Sequence, residues 1–431
     1  MFARWFPLLF GLSGLALHAA TWRLWTPQDV FPQVPLFGFA RDWPLWLDWA
    51  AFAGIVAAYL CVAITSYKPA ASAVEAERTT NLRPPRLAPR ARVAVLIASY
   101  LLAVTLDQNR LQVWVWHFAI VGLLIAFSEP DRLAGRVRVL TASIYLWSAV
   151  SKLNADFAGS IGPMLLGGLC DAVGLASPAG PAAERMAYGL PLCELAIGIA
   201  VLTPAWRAGL LLSLAMHAGL LLSVGPLGLG HTAGVLLWNA FFILQNGLLA
   251  TEAVRGTVRQ RRDRAGSVVL VAAVLFPAIV WAGRADPWQG WAVYAPLGTK
   301  AEMTLQRFQQ IPTPPVRVPV WKGLPVDRVA ADRWCRDSLG IPLNPGQATR
   351  VGVAAACAAE FAAAELLFNG HVVISGGLPI DAGRLAIREW FPTDLAWYEG
   401  YDAAFIVNML PRRSQRVDWE KVAREYGPAG R

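Results

Sequence analysis

Seven ionisable residues stand inside or at the ends of long apolar runs: His18, Asp107, His117, Lys152, Glu194, His217 and His231, with the amide Asn239 beside them. A charge placed in lipid costs several kcal/mol, so such groups turn into a helical bundle or line a polar cavity. Amine, carboxylate and imidazole together are the groups of proton transfer. Each also has a plainer reading: a lone histidine more often joins two helices through a hydrogen bond, and a lysine at a helix end can reach the headgroups. Asp107 and Arg110 would suit a turn between two helices. Lys152 carries the most weight, because the chain has five lysines (Lys68, Lys152, Lys300, Lys322, Lys421) and otherwise uses arginine. Arginine stays protonated, whereas a desolvated lysine can supply a neutral amine as a general base.

These residues need helices to position them. The 431 residues are 56% hydrophobic and 16% charged, with 19 tryptophans, against roughly 45–50% apolar and about 25% charged in soluble proteins. A spanning helix takes about 20 mostly apolar residues, and nine runs approach that length: 5–25, 45–66, 93–108, 113–128, 139–154, 186–204, 207–224, 231–250 and 267–283. The first run ends at Ala19-Ala20 behind Arg4, as a signal peptide would, but it contains His18 and continues through Trp22 and Trp25 into an interfacial pattern. The expected fold is therefore an all-α polytopic membrane bundle of about nine transmembrane helices with a small external α+β C-terminal domain.

The net charge of +9 is no signal for nucleic acid, because the arginines fall in loops where cytoplasmic positive charge accumulates. Arg4, Lys68 with Arg78, Arg83, Arg86, Arg90 and Arg92, the group Arg132, Arg136 and Arg138, Arg207, and Arg255 to Arg264 flank alternate loops. The other loops hold only Arg41, Arg110 and Arg185. This puts the N-terminus inside and everything after the ninth run outside. On that topology Glu194, His217, Asn239 and His18 lie roughly 10–12 Å below the outer helix ends and His117 about 6 Å, at 1.5 Å per residue. A shared outer half suggests one cavity opening outward, with Glu194, His217 and Asn239 approaching one another.

Beyond the bundle, residues 284–325 read as an extended linker marked by Pro312, Pro314, Pro315 and Pro319. Residues 326–431 read as the small extracytoplasmic domain. In it Val326–Leu339 is expected to be a helix stopped by Gly340, and the Ala-rich stretch 351–368 an amphipathic helix ended by Asn369-Gly370. His371–Ser375, Leu385–Trp390 and Ala404–Met409 have the look of strands. The five cysteines contain no CxxC pair, so no zinc ribbon or thioredoxin motif is present. Cys335 and Cys357, both placed outside, stand where a disulfide is permitted.

The segment Tyr145-Leu146-Trp147-Ser148-Ala149-Val150-Ser151-Lys152-Leu153-Asn154-Ala155-Asp156-Phe157 resembles the stretch of vitamin K-dependent γ-glutamyl carboxylases that bears the catalytic lysine. It is similar also to their bacterial relatives with the horizontally transferred transmembrane (HTTM) domain. Asp107-Gln108-Asn109-Arg110-Leu111-Gln112, then Glu194, Arg207 and His217, then His231 with Trp238-Asn239, resemble further family segments in the same order. The resemblance covers approximately residues 1–300. It implies that Lys152, with Glu194 and His217, is catalytic, and that Asp107, Asn109, Arg110, Trp147, His231, Trp238 and Asn239 bind the substrate or a quinone.

The implied chemistry has Lys152 as a free amine deprotonating a reduced quinone of the vitamin K type, with oxygen and carbon dioxide as co-substrates. The chain departs from the eukaryotic carboxylases, which have a histidine where Arg110 stands and a larger lumenal region than the tail of ~145 residues here. The expected setting is the bilayer of a bacterial inner membrane, with a hydrophobic small molecule or a periplasmic protein as partner, no nucleic acid and no metal. A non-enzymatic or DoxX/MauE-like membrane module supporting a periplasmic redox partner is the alternative. Replacing Lys152 by arginine separates the two.

Overall fold

The computed structural model describes residues 1–66, 87–252, 264–281, 286–295, 301–306, 331–346, 349–350, 352–353, 356, 363–368, 371–374 and 411–418. Each of the nine apolar runs coincides with helix: α1 (Phe2–Ala20), α2 (Trp46–Ser66), α3 (Leu87–Leu106), α4 (Val113–Phe127), α5 (Pro130–Lys152), then α6 (Gly162–Ala172), α7 (Gly180–Ala187), α8 (Gly189–Leu202), α9 (Trp206–Val224), α10 (Ala233–Ala250), α11 (Arg264–Leu275) and α12 (Pro277–Trp281). Among the described residues five stretches are long and apolar enough to cross a membrane: Trp46–Thr65, Pro89–Leu106, Gly180–Leu202, Trp206–Val224 and Ala233–Ala250. Val113–Phe127, Phe157–Ala172 and Arg264–Val280 are shorter apolar helices. The stretch Phe157–Ala172 was not among the nine runs, because its glycines and Pro163 hold it below the length of a span.

The chain divides into two compact units. The first comprises Met1–Trp22, Ala51–Tyr100 and Gln112–Leu297. Within it α5 packs along α8, α9 packs along α10, α8 and α6, and α1 lies against α10. Its side chains are sorted as lipid requires: Leu211, Leu212, Val268 and Ile64 are exposed, while Ser213, His217, Asn239, Gln245 and Asn246 are buried. Close packing is made by glycine: a Cβ on Gly209 would sit 2.8 Å from the Val201 backbone nitrogen, which is how α9 comes against α8.

The second unit joins Arg23–Ala50, Leu101–Leu111 and Gly298–Arg431. The tail is thus not a unit by itself, since two segments from between the first four long helices belong with it. Helix α13 (Ala331–Leu339) ends at Gly340, whose φ of 68° is the left-handed stop that glycine permits. Strands β1 (Ala301–Gln306), β2 (Ala363–Phe368) and β3 (His371–Ile374) form an antiparallel sheet in that order. Ala363–Phe368 is therefore strand where an amphipathic helix was expected, and β1 falls inside the expected linker. The expected strands at 385–390 and 404–409 lie outside the described residues, as does Cys357. Cys335 is a buried free thiol.

Candidate functional site

Helix α5 carries a polar stripe. Thr141, Tyr145, Ser148 and Lys152 stand at i, i+4, i+7 and i+11, the spacing of one helical face, over about 16 Å at 1.5 Å per residue. At its last residue Lys152 Nζ donates to Ser148 Oγ at 2.8 Å and to both Glu194 oxygens of α8 at 2.8 Å. The side chains are 7% and 13% exposed, so the lysine does not extend to solvent. Three acceptors engage the three protons of an ammonium, and no lone pair of Nζ is presented as a base. The open valence lies on Glu194, whose carboxylate keeps lone pairs beyond the two it uses.

The chain reversal after Lys152 is held by Asn154. Its Nδ2 donates to the Ser151 carbonyl at 2.9 Å and its Oδ1 accepts the Phe157 amide at 2.9 Å, closing α5 and opening the following helix with one side chain. The Lys-Leu-Asn sequence is thus a helix end with its cap.

One turn and more before the ion pair, a chain of neutral groups crosses the bundle. Asn246 Nδ2 donates to the Tyr145 hydroxyl at 2.7 Å, and that hydroxyl lies 2.9 Å from His217 Nε2. His217 Nδ1 is 2.9 Å from Asn239 Oδ1, and Asn239 Nδ2 donates to the Val235 carbonyl at 2.9 Å. The asparagine orientation puts the imidazole proton on Nδ1 and leaves Nε2 to accept from the phenol. Asn246 also donates to Ser213 Oγ at 2.9 Å, and Gln245 donates to Thr141 Oγ1 at 3.0 Å. A second tyrosine–histidine relay lies among α1, α2 and α3: Tyr59 and Tyr100 hydroxyls are 2.6 Å apart, Tyr100 is 3.2 Å from His18 Nε2, and His18 Nδ1 is 2.7 Å from the Gly14 carbonyl.

His117 differs from both. Trp238 Nε1 donates to its Nδ1 at 3.1 Å; indole only donates, so His117 is neutral with its proton on Nε2. That Nε2 has no hydrogen-bond partner, and the residue is fully buried. Phe242 lies between the two histidines, stacked on His117 at 5.0 Å and on His217 at 4.7 Å. Trp291 meets His117 edge to face at 5.9 Å, is itself fully buried, and has an unpartnered Nε1. Its φ of 62° is left-handed. A buried donor without a partner costs about 1–3 kcal/mol, and a left-handed non-glycine residue about 1–3 kcal/mol.

Asp107, Asn109 and Arg110 belong to the second unit, around a buried charge cluster. Arg110 Nη2 bonds Asp48 Oδ1, and Arg412 Nη1 bonds Asp48 Oδ2 at 2.7 Å, all three side chains being inaccessible. Further bonds from the two guanidiniums go to the carbonyls of Leu24, Ala103, Trp43 and Pro44, to Gln33 and to Ser414, so that every guanidinium nitrogen has an acceptor. Asp107 accepts the amides of Val34 and Asn109 at 3.3 and 3.1 Å. Burial pushes its carboxyl up to about 6 against the pull of Arg110. Asn109 bonds Cys335 Sγ at 3.4 Å and receives the Asn344 amide at 2.8 Å. Burial pushes the Cys335 thiol upward, so it behaves as a packed apolar group.

Of the residues singled out by sequence, Lys152 with Glu194, and His217 with Asn239, are each in direct contact, and Trp238 joins His117. Trp147 bonds the Val274 carbonyl at 3.0 Å and ties α5 to α11. His231 stands in the 225–232 turn with its ring 5.5 Å from that of Tyr294. Tyr145, Ser148, Ser213, Asn246 and Trp291 were not singled out; for Tyr145 and Ser148 the four-member stripe on α5 was the available signal. Among the described residues no group of three His, Cys, Asp or Glu side chains is placed to hold a metal ion. Comparison with family models, with curated proteins and with solved structures gives no match.

Proposed function

We propose that the chain is a multi-pass membrane enzyme of the HTTM/vitamin K-dependent carboxylase-like kind, performing acid–base chemistry on a quinol or another hydrophobic substrate. In this reading nine helices span a bacterial inner membrane, the N-terminus is inside, and the C-terminal α+β portion is outside. One observation supports it above the rest: a buried lysine and glutamate form a two-point ion pair between α5 and α8, and if these helices lie in the bilayer, burying charge there is costly and marks functional sites.

The roles are shared differently from a lone lysine base. Glu194 is the group with lone pairs to accept a substrate proton, and Lys152 is the ammonium that stabilises negative charge left on the substrate oxygen. Ser148 holds Nζ in place. Passing the lysine proton to Glu194 turns the ion pair into two neutral groups, which apolar surroundings favour more than water does. A quinol hydroxyl fits this donor and acceptor set; Glu194, Lys152 and Ser148 would hold it. A reduced quinone bound there would supply, with oxygen, the strong base needed to remove an unactivated proton.

The test is oxygen consumption by the full chain in lipid nanodiscs given reduced naphthoquinone. Lys152→Arg keeps a cation but puts a larger, planar guanidinium where the compact ammonium meets Ser148 and both Glu194 oxygens, and Glu194→Gln removes the acceptor. Each is expected to abolish turnover with membrane insertion intact. Full activity of both variants would sink the reading and favour the non-enzymatic module.

A further inference from the structure

The geometry points to a second ligand site, at His117 and Trp291, that takes the carbonyl oxygen of an apolar ring compound. It stands on different atoms from the Lys152–Glu194 pair and does not depend on the chemistry proposed there.

The argument begins with the tautomer. Because Trp238 donates into Nδ1, the free nitrogen of His117 is a donor and nothing else. The Nε1 of Trp291 is also donor only, and the two rings are in contact at 5.9 Å. Both N–H groups are buried and without partners. A neutral donor-only site asks for an acceptor. A carboxylate or phosphate would find no cation in contact here, since the contacts around His117 are the rings of Phe118, Trp238, Phe241, Phe242 and Trp291. A neutral carbonyl oxygen meets both demands. Aromatic walls select a ring-bearing carrier for that oxygen, through stacked and edge-on contacts.

Independent support comes from the backbone. Trp291 adopts φ 62° and Tyr294 φ 58°, the two non-glycine residues with positive φ among those described. Trp291 ends the 287–290 turn in this left-handed conformation with its ring against His117, and Tyr294 is a second such residue three positions on; strain of this kind gathers at ligand clamps. The neighbouring tyrosine–histidine relays show the contrast. In them both imidazole nitrogens of His217 and of His18 are engaged, so an idle Nε2–H at His117 is not how this bundle treats a histidine that only joins helices.

The test uses the full chain in nanodiscs and three probes: benzophenone labelled with carbon-13 at its carbonyl, diphenylmethane, which has the same rings and no carbonyl, and methyl oleate, which has a carbonyl and no ring. Benzophenone is expected to bind roughly tenfold or more tightly than either other probe. Its carbonyl stretch should shift to the hydrogen-bonded position, and irradiation should attach it to peptides containing His117 or Trp291. His117→Phe should remove the preference over diphenylmethane, His117→Gln should keep part of it, and Trp291→Phe should reduce it several-fold. Should His117→Phe fail to fold, the native carbonyl shift and the labelled peptides carry the test. Equal binding of benzophenone and diphenylmethane, or labelling confined to other peptides, would overturn the site. Equal binding of methyl oleate would overturn the ring class and assign the donors to a lipid ester.

Discussion

The two units bury charge in opposite ways. In the second, one carboxylate is held between two guanidiniums, and every remaining Arg110 and Arg412 contact is with a carbonyl, an amide or a hydroxyl. In the first, one lysine meets one glutamate, the carboxylate keeps spare lone pairs, and elsewhere buried N–H groups, those of His117 and Trp291 among them, are left with no partner. An acceptor on every guanidinium nitrogen makes a clamp, because the charges are spent on one another and on fixed carbonyls. Incomplete satisfaction in a buried place is costly, and a fold carries that cost where a ligand or a proton can relieve it. The difference sets Arg110, whose nitrogens are all bonded within the cluster, apart from Lys152 and His117.

The comparison breaks most readily at Asp48. Asp48→Ala leaves Arg110 and Arg412 buried together with no counter-charge, a loss of about 5 kcal/mol at the upper end for a broken buried pair. Thermal unfolding of the full chain should show it, with proteolysis beginning near residues 411–418. A change below about 1 kcal/mol would mean that the cluster is open to water. Glu194→Gln is the corresponding break in the first unit. Its pair is slightly exposed, so about 3 kcal/mol is expected, at the lower end of the same range. Glu194→Leu with Lys152→Met should recover most of that stability and none of the activity.

What was legible in sequence follows from range. Nine apolar runs became helix because each helix satisfies its own backbone and needs only local composition. Lys152 and Glu194 were legible because an ionisable group in an apolar run is rare whatever it touches. The pairing of Arg110 was not, since Asp48 and the Arg412 that shares it come from distant segments and no local pattern announces the cluster. Trp291 was hidden among 19 tryptophans, because its distinction is a backbone angle. The stretch at 363–368 was misread for a related reason: Ala-Ala-Glu-Leu-Leu-Phe suits a helix, and its pairing with Ala301–Gln306 is long-range.

Asp107 sharpens the comparison from the side of pH. Its carboxyl is raised from 3.8 to about 6 in the folded chain, so the folded state keeps a proton that the unfolded state gives up. Stability should therefore fall as pH rises from about 4 to about 6 and level off above, by about 2–3 kcal/mol at 1.36 kcal/mol per unit. Asp107→Asn retains an oxygen for the Val34 and Asn109 amides and should flatten that slope. Melting temperatures measured across this range decide it; an unchanged slope in the variant would assign the titration elsewhere.

The smallest effect is the most discriminating. Ser148 gives Lys152 Nζ one neutral acceptor at 2.8 Å, and Ser414 gives Arg412 Nε one at 2.9 Å. Alanine at either position removes one hydrogen bond to a buried cation, worth about 1–2 kcal/mol, and the two variants should melt alike. Their chemistry should part. Arg412 keeps Asp48, Gln33 and two carbonyls, so Ser414→Ala changes nothing beyond stability. Lys152 keeps only Glu194, so Ser148→Ala frees one of three protons and loosens the amine. Acylation by an amine-selective reagent requires the Nζ lone pair, and Ser148→Ala should raise its rate at Lys152 several-fold while quinol turnover falls. If acylation and turnover both stay at the native level, Ser148 merely fills space, and the pair it supports is as fixed as the clamp around Asp48.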